Sequence, residues 1–279
     1  MSRIDIDGTS VEYLEQGSGP PVVLLHSTGA SGAQWRALAE RLATRFHVIA
    51  PDLVGYGASS PWKGRGAFGL AHEAALVGAL LDRLNDPVHL VGHSYGGAVA
   101  LHIARTRGDR LRSLTLFEPV AFHLLRAGDA DDEAALLEIR EVAAMVARSL
   151  QCGDYAAGAG RFVDYWSGPG AWAAVPAARQ DALMSRLGKV ALDFQAAMHE
   201  PASPADLAHI DVPTLLMQGE RSPRSTQRIC RRLAGTLSGL RCAIVSGAGH
   251  MAPLTHRDEV NARIAAHLDA HATPYPSHS

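Results

Sequence analysis

The sequence holds little that a membrane, a nucleic acid or a metal could use. No run approaches the roughly 18 charge-free apolar residues that a membrane-spanning helix needs. Charge of either sign is not in excess: 26 Lys and Arg against 28 Asp and Glu leave a net charge of −2. Without a basic stretch there is no electrostatic footprint for a nucleic acid, and none for an anionic membrane surface. Cysteine is scarce. Cys152, Cys230 and Cys242 stand far apart, with no Cys-x-x-Cys pair and no histidine at ligand spacing. That argues against a zinc motif and a disulfide framework, and predicts buried free thiols in a reducing compartment. Arg3, Asp5 and Asp7 break up the first residues, so no secretory leader is read there. The expectation is a soluble, cytoplasmic protein with no membrane or nucleic-acid partner, and association into a homo-oligomer is left open.

What is present is an alternation of two hydrophobic periods. Val22 to Leu25, Val48 to Pro51 and Val88 to Val91 are short β-branched runs that read as strands. Between them, Trp35 to Leu42 and Glu73 to Leu84 carry helical spacing. Strand, helix, strand in this order predicts an α/β fold with a mostly parallel sheet covered by helices on both faces. A further strand is expected at Leu114 to Phe117, after which the pattern breaks. From Pro119 to Ala205 the chain is Ala-rich and helical, punctuated by Gly168-Pro169-Gly170 and Pro176. Strands resume at Thr214 to Met217 and Ala243 to Val245, and a last helix is expected near Val260 to Leu268. The reading is therefore a core of residues 1–118 and 206–279 with a helical cap, 119–205, inserted into it. The tail from about Ala272 is expected to fray.

The string Gly92-His93-Ser94-Tyr95-Gly96-Gly97 lies between the strand at Val88 and the helical stretch from Ala98 to Arg105. A serine hydroxyl is a poor nucleophile unless the fold presents it beside a base and oxyanion donors, and a sharp strand-to-helix turn does this. Glycine at 92 and 96 lets the two backbones approach. Gly247-Ala248-Gly249-His250 follows the last strand, and its glycines let a histidine reach such a serine. His26-Ser27-Thr28-Gly29 follows the strand at Val22, and Pro51-Asp52-Leu53-Val54-Gly55-Tyr56-Gly57 follows the next one.

In this order the four motifs resemble the α/β-hydrolase fold family over nearly the whole chain. The resemblance implies an α/β-hydrolase fold with an inserted helical cap, Ser94 as nucleophile and His250 as general base. It also implies an oxyanion hole from the backbone N–H groups of Thr28 and Tyr95. His26 and Asp52 are read as structural, pinning their loops. Ser27 departs from the glycine more usual in the family. The family's usual acid position, three residues past a strand-ending glycine, is matched by Gly219-Glu220-Arg221-Ser222, where Ser222 cannot carry the negative charge the histidine needs.

Two carboxylates could replace it. Glu118 ends the strand after the elbow helix, and Phe117-Glu118-Pro119 resembles the place from which many haloalkane dehalogenases take their acid. Their halide chemistry does not carry over, since it uses an aspartate nucleophile. Glu220 is the alternative, but it is displaced along an extended segment by roughly 6 to 7 Å from the usual position. Glu118 is preferred.

The expected activity is hydrolysis of a small-molecule carboxylic ester or lactone through an acyl-enzyme, with no metal and no organic cofactor. Phe122, Leu124, Leu125, Phe162, Tyr165, Trp166, Trp172 and Phe194 could line the pocket or simply pack the cap, and Arg126 reads as surface. The His-Ser loop also resembles enol-lactone hydrolases. Two alternatives stay open: a C–C bond hydrolase acting on a dienoate, which would need groups that bind a carboxylate, and a non-catalytic binding module on the same fold.

Overall fold

The apolar runs form the middle of an eight-stranded sheet. The computed structural model describes residues 2–6, 8–64 and 66–272. The tail expected to fray lies, from residue 273 on, outside the described residues. The strands are β1 (Ser2–Ile6), β2 (Thr9–Gln16), β3 (Pro21–Leu25), β4 (His47–Pro51), β5 (Val88–His93), β6 (Leu111–Phe117), β7 (Thr214–Gly219) and β8 (Arg241–Val245). Their order in the sheet is β1-β2-β4-β3-β5-β6-β7-β8. From β4 to β8 every pairing is parallel, while β1 with β2 and β2 with β4 are antiparallel.

The antiparallel β1 and β2 are absent from the sequence reading. Both carry charged residues between apolar ones, and only Ile4 of β1 and Ser10, Val11 and Leu14 of β2 are buried, so they lack the continuous apolar run of a central strand. In β3, by contrast, all five residues are buried. Its side chains alternate: Val22 and Leu24 enter a cluster with Trp35, Leu38, Leu42, Val260 and Ile264, and Val23 and Leu25 enter a second one on the other face.

The helices that cover these faces are α1 (Arg36–Leu42), α2 (Leu70–Leu81) and α3 (Tyr95–Thr106), then α4 (Ala130–Cys152), α5 (Tyr155–Ser167), α6 (Ala177–Met184) and α7 (Leu187–Met198). After these come α8 (Pro204–Leu207), α9 (Arg224–Ala234), α10 (Ala252–Thr255) and α11 (Arg257–His271). Between β6 and β7 no described residue is in a strand. Gly168 ends α5, and Pro176 caps α6, so both breakers act where the sequence placed them. Helix α4 starts on Asp129, whose carboxylate accepts from the Asp132 N–H. It is tied to α9 by Arg228, which donates to Asp129 and Asp132.

All three cysteines are free, but only Cys230 is buried. Cys152 ends α4 at the surface, and Cys242 sits on β8, the sheet's exposed edge, which corrects the expectation of three buried thiols. Among the described residues, no helix is long and apolar enough to cross a membrane, and no three His, Cys, Asp or Glu side chains are grouped so as to hold a metal ion.

Candidate active site

Parallel strands bring their C-terminal ends to one edge, so the loops after β3, β5, β6 and β8 converge there, around the point where the chain's order across the sheet reverses. Ser94 follows β5 with φ 56° and ψ −116°, outside the regions comfortable for a residue with a side chain. The turn is held because its neighbours are glycines. A Cβ on Gly92 would lie 2.4 Å from the Gly96 carbonyl oxygen, and one on Gly96 would lie 2.5 Å from the carbonyl oxygens of Leu25 and His26. Helix α3 begins at the next residue, so its N-terminal N–H groups, Tyr95 first, lack partners within the helix and lie beside the serine.

Among the described residues, Glu118 is the other non-glycine residue with positive φ, 43°. It stands directly after β6 and is fully buried. One carboxylate oxygen accepts from the Gly219 N–H at 2.6 Å and the other faces His250 Nδ1 at 2.7 Å. A carboxylate held between N–H groups can only accept, so Nδ1 carries the imidazole proton. Nε2 is then free to accept from the Ser94 hydroxyl, 2.9 Å away. The structure thus brings Ser94, His250 and Glu118 into one buried row. Glu220 is not part of it: exposed, it accepts from the Gly247 N–H at 2.7 Å and from Ser246 Oγ at 3.2 Å, and the Gly247 bond leads the interactions that hold its carboxyl below the usual range. Ser222 is buried, and its hydroxyl has no hydrogen-bond partner among the described residues.

The loop after β3 is fastened on three sides. His26 Nδ1 donates to the Ser27 carbonyl at 2.8 Å, and Nε2 accepts from the Leu53 N–H at 2.9 Å, an arrangement that needs a neutral ring. Burial supplies that, pushing the His26 pKa down to about 4. Ser27 explains its own departure from glycine, since its N–H and hydroxyl both donate to Gln34 Oε1, at 3.1 and 2.9 Å. The Gln34 amide donates in turn to His93 Nδ1 at 3.1 Å, and His93 Nε2–H donates to the His250 carbonyl at 3.0 Å. A chain of four residues therefore joins the Thr28 loop to the His250 loop. Third, Thr28 Oγ1 donates to Asp193 at 2.8 Å. Asp52 accepts from the N–H groups of Gly32 and Ala58, tying two turns together.

Ser94 opens onto a small, partly open cleft. Its wall includes Thr28 and Tyr95, the apolar side chains of Val120, Phe122, Phe162, Trp166, Val190 and Phe194, and one carboxylate, Asp193. The Trp166 ring lies 4.2 Å from that of His250, covering it from the helical side. Of the aromatic residues read as pocket candidates, Phe122, Phe162, Trp166 and Phe194 are in this wall. Leu124 and Leu125 are buried in the core, and Arg126 is exposed. Tyr165 bonds Glu138 and Ser225, and Trp172 packs on Gly160. Gln34, Lys189 and Asp193 were not read from the sequence. The signal for the last two is a Lys and an Asp four residues apart in the mostly apolar helix α7, where a charge pair on one face has to be buried or turned to water.

The chain is similar in sequence to parts of known proteins and in fold to several solved structures. A 37% identical segment of 126 residues is shared with a soluble epoxide hydrolase of Corynebacterium sp., covering 45% of this chain and 43% of that one. A 41% identical segment of 104 residues is shared with a lipase of Mycobacterium tuberculosis, covering 37% of this chain and 38% of that one. The match thus spans less than half the length of either curated relative. Among solved structures, the enol-lactonase from Burkholderia xenovorans superposes with a TM-score of 0.77 at 21% identity, over 96% of this chain and all of that one. An esterase from Thermogutta terrifontis gives 0.75 at 24% identity, over 98% of this chain and all of that one. At such identities the structural likeness speaks for the fold alone. A family profile for the alpha/beta hydrolase fold matches residues 20–257, and the chain belongs to that family.

Proposed function

We propose that this protein is a serine hydrolase that cleaves a carboxylic ester or lactone through an acyl-enzyme on Ser94. The observation that carries the reading is the buried row in which Ser94, His250 and Glu118 are joined by hydrogen bonds of 2.9 and 2.7 Å at the mouth of a mostly apolar cavity. In this reading, Ser94 Oγ attacks the acyl carbon while His250 Nε2 takes its proton, and the Glu118 carboxylate stabilises the imidazolium. The backbone N–H groups of Thr28 and Tyr95 receive the oxyanion. Collapse expels the alkoxide, which takes the proton from His250. Water, deprotonated by the same imidazole, then attacks the acyl-enzyme, releasing the acid and restoring Ser94.

The relatives include proteins named as epoxide hydrolase and haloalkane dehalogenase as well as lipase and methyl ester esterase. A serine at the elbow favours the ester side of that range, because dehalogenation uses a carboxylate there. The cavity also argues against a dienoate substrate. Its charged wall residue is a carboxylate, Asp193, and the nearby Lys189 is already paired with Glu73 and Asp193. A binding-only module has no need of an acid on His250, which Glu118 supplies.

The test is hydrolysis of p-nitrophenyl esters from acetyl to decanoyl by the wild type and by Ser94→Ala. The wild type is expected to turn over short to medium chains, and the variant to fall to background. Equal rates in both proteins would remove Ser94 from the chemistry and overturn the reading.

A further inference from the structure

Lys189 and Asp193 are the charged residues of helix α7, and both point inward, 8% and 2% exposed. Lys189 Nζ bonds Glu73 Oε1 at 3.0 Å and Asp193 Oδ1, and lies 4.7 to 4.8 Å from the ring centres of Tyr56, Phe68 and Tyr95. The other Asp193 oxygen accepts from two hydroxyls, Thr28 Oγ1 at 2.8 Å and Tyr56 at 2.7 Å. Glu73, on α2, accepts from the Val54 N–H at 3.1 Å. Taking ions out of water costs several kcal/mol each, and an apolar cluster of the same volume would hold α7 to the core at least as well. What an apolar cluster could not do is fix the direction of the Thr28 side chain.

We propose that Asp193 is a positioning residue for the reaction: carried by the inserted helices, it holds Thr28 so that the Thr28 N–H faces the Ser94 oxyanion. The proposal rests on the serine-hydrolase reading given above. Asp193 also borders the cavity, but its lone pairs are largely spoken for. Oδ2 already takes two donors and Oδ1 takes the ammonium, leaving at most one of about four acceptor sites for a ligand. Its work is on the loop. Burial pushes the Asp193 and Glu73 carboxyls up, and it opposes the charge on Lys189, but these two carboxylates outweigh that and hold the ammonium protonated. The cluster links the helical segment, the Thr28 loop, the Tyr56 turn and α2.

Thr28→Val keeps the shape of the side chain and removes only the hydroxyl, and Thr28→Ser restores it. Two readouts are used: kcat and KM on the best p-nitrophenyl ester, and the rate at which a fluorophosphonate labels Ser94. In labelling, Ser94 Oγ bonds phosphorus, fluoride leaves and His250 takes the proton, so it draws on the same oxyanion donors without needing ester turnover. Thr28→Val is expected to lower kcat and the labelling rate about 10- to 100-fold with KM within about twofold, the cost of a displaced donor. Thr28→Ser is expected to recover most of both. Asp193→Asn, alone and with Thr28→Val, completes the cycle, and the double variant is expected to lose little more than Asp193→Asn alone. Labelling of Thr28→Val at the wild-type rate, or losses that add in the double variant, would overturn the positioning role while the hydrolase reading stands. A wild type that neither hydrolyses esters nor takes the label would overturn both.

Discussion

Glu118 does two things that a neutral amide cannot do together. Each of its oxygens accepts one N–H, from Gly219 and from His250. In Glu118→Gln only one atom can accept, so an NH2 group meets either the Gly219 amide or the imidazole. If it meets the imidazole, the ring takes the tautomer with the proton on Nε2 and can no longer accept from Ser94. The expected loss in kcat is on the order of 10³ to 10⁴. Glu220→Gln should stay within about threefold, because its oxygen can still accept from Gly247 and it has no bond to the imidazole. Steady-state assays of the two variants on one ester separate the candidates, and the reverse ranking would return the acid's role to Glu220. The contact between Glu118 and His250 was legible in the sequence because serine at 222 leaves no carboxylate there and Glu118 follows a strand on the edge where Ser94 lies. The Gln34 and His93 links were not legible. They depend on loops 59 residues apart meeting side by side, which no local pattern records.

At the scale of elements, α7 presents Val190, Asp193 and Phe194 to the cavity from one face, as residues three and four apart on a helix must. Phe194 stacks on Phe122 with ring centres 6.2 Å apart and meets Phe162 edge-on at 6.1 Å, so under the proposed function it belongs to the wall that would limit acyl length. Phe194→Ala should shift the preferred acyl chain longer by roughly two to four carbons, while costing about 3 to 5 kcal/mol of stability as a large-to-small core change. Phe194→Leu should give a smaller shift at a smaller cost. An unchanged chain-length profile in both variants would place the acyl group elsewhere, away from α7. The helix itself was readable from the Ala-rich, strand-free stretch, but the face it turns to the core was not, because Lys189 and Asp193 interrupt the apolar stripe that would have marked it. For the same reason the central strands could be read as unbroken apolar runs, whereas β1 and β2, half exposed and charged, could not.

For the molecule as a whole, buried histidines set the response to acid. Burial is the leading cause holding the pKa of His26, His89, His123 and His267 at about 4, and His93 is also pushed well down by burial and by the neighbouring His250. In the folded protein the first four rings stay neutral until about pH 4, and His93 stays neutral well below its usual range, whereas in the unfolded chain they take protons near 6.5. Between those values the unfolded state binds more protons, so stability is fully present above about pH 6.5 and falls as the pH drops toward 4. Glu73 and Asp193 oppose this, since their raised carboxyls take protons in the fold before the unfolded chain does, but they are two groups against five. For His26 alone the loss at pH 5 is about 2 kcal/mol, a sizeable share of a typical total of about 5 to 15 kcal/mol. Urea unfolding followed from pH 7.5 to pH 5 should therefore show a steadily falling midpoint, with a slope that corresponds to net uptake of more than one proton on unfolding. Equal stability at the two ends would mean that these rings already carry charge inside the fold. In that case the neutral His26 and His93 on which the Thr28 and His250 loops hang would have to be reassigned.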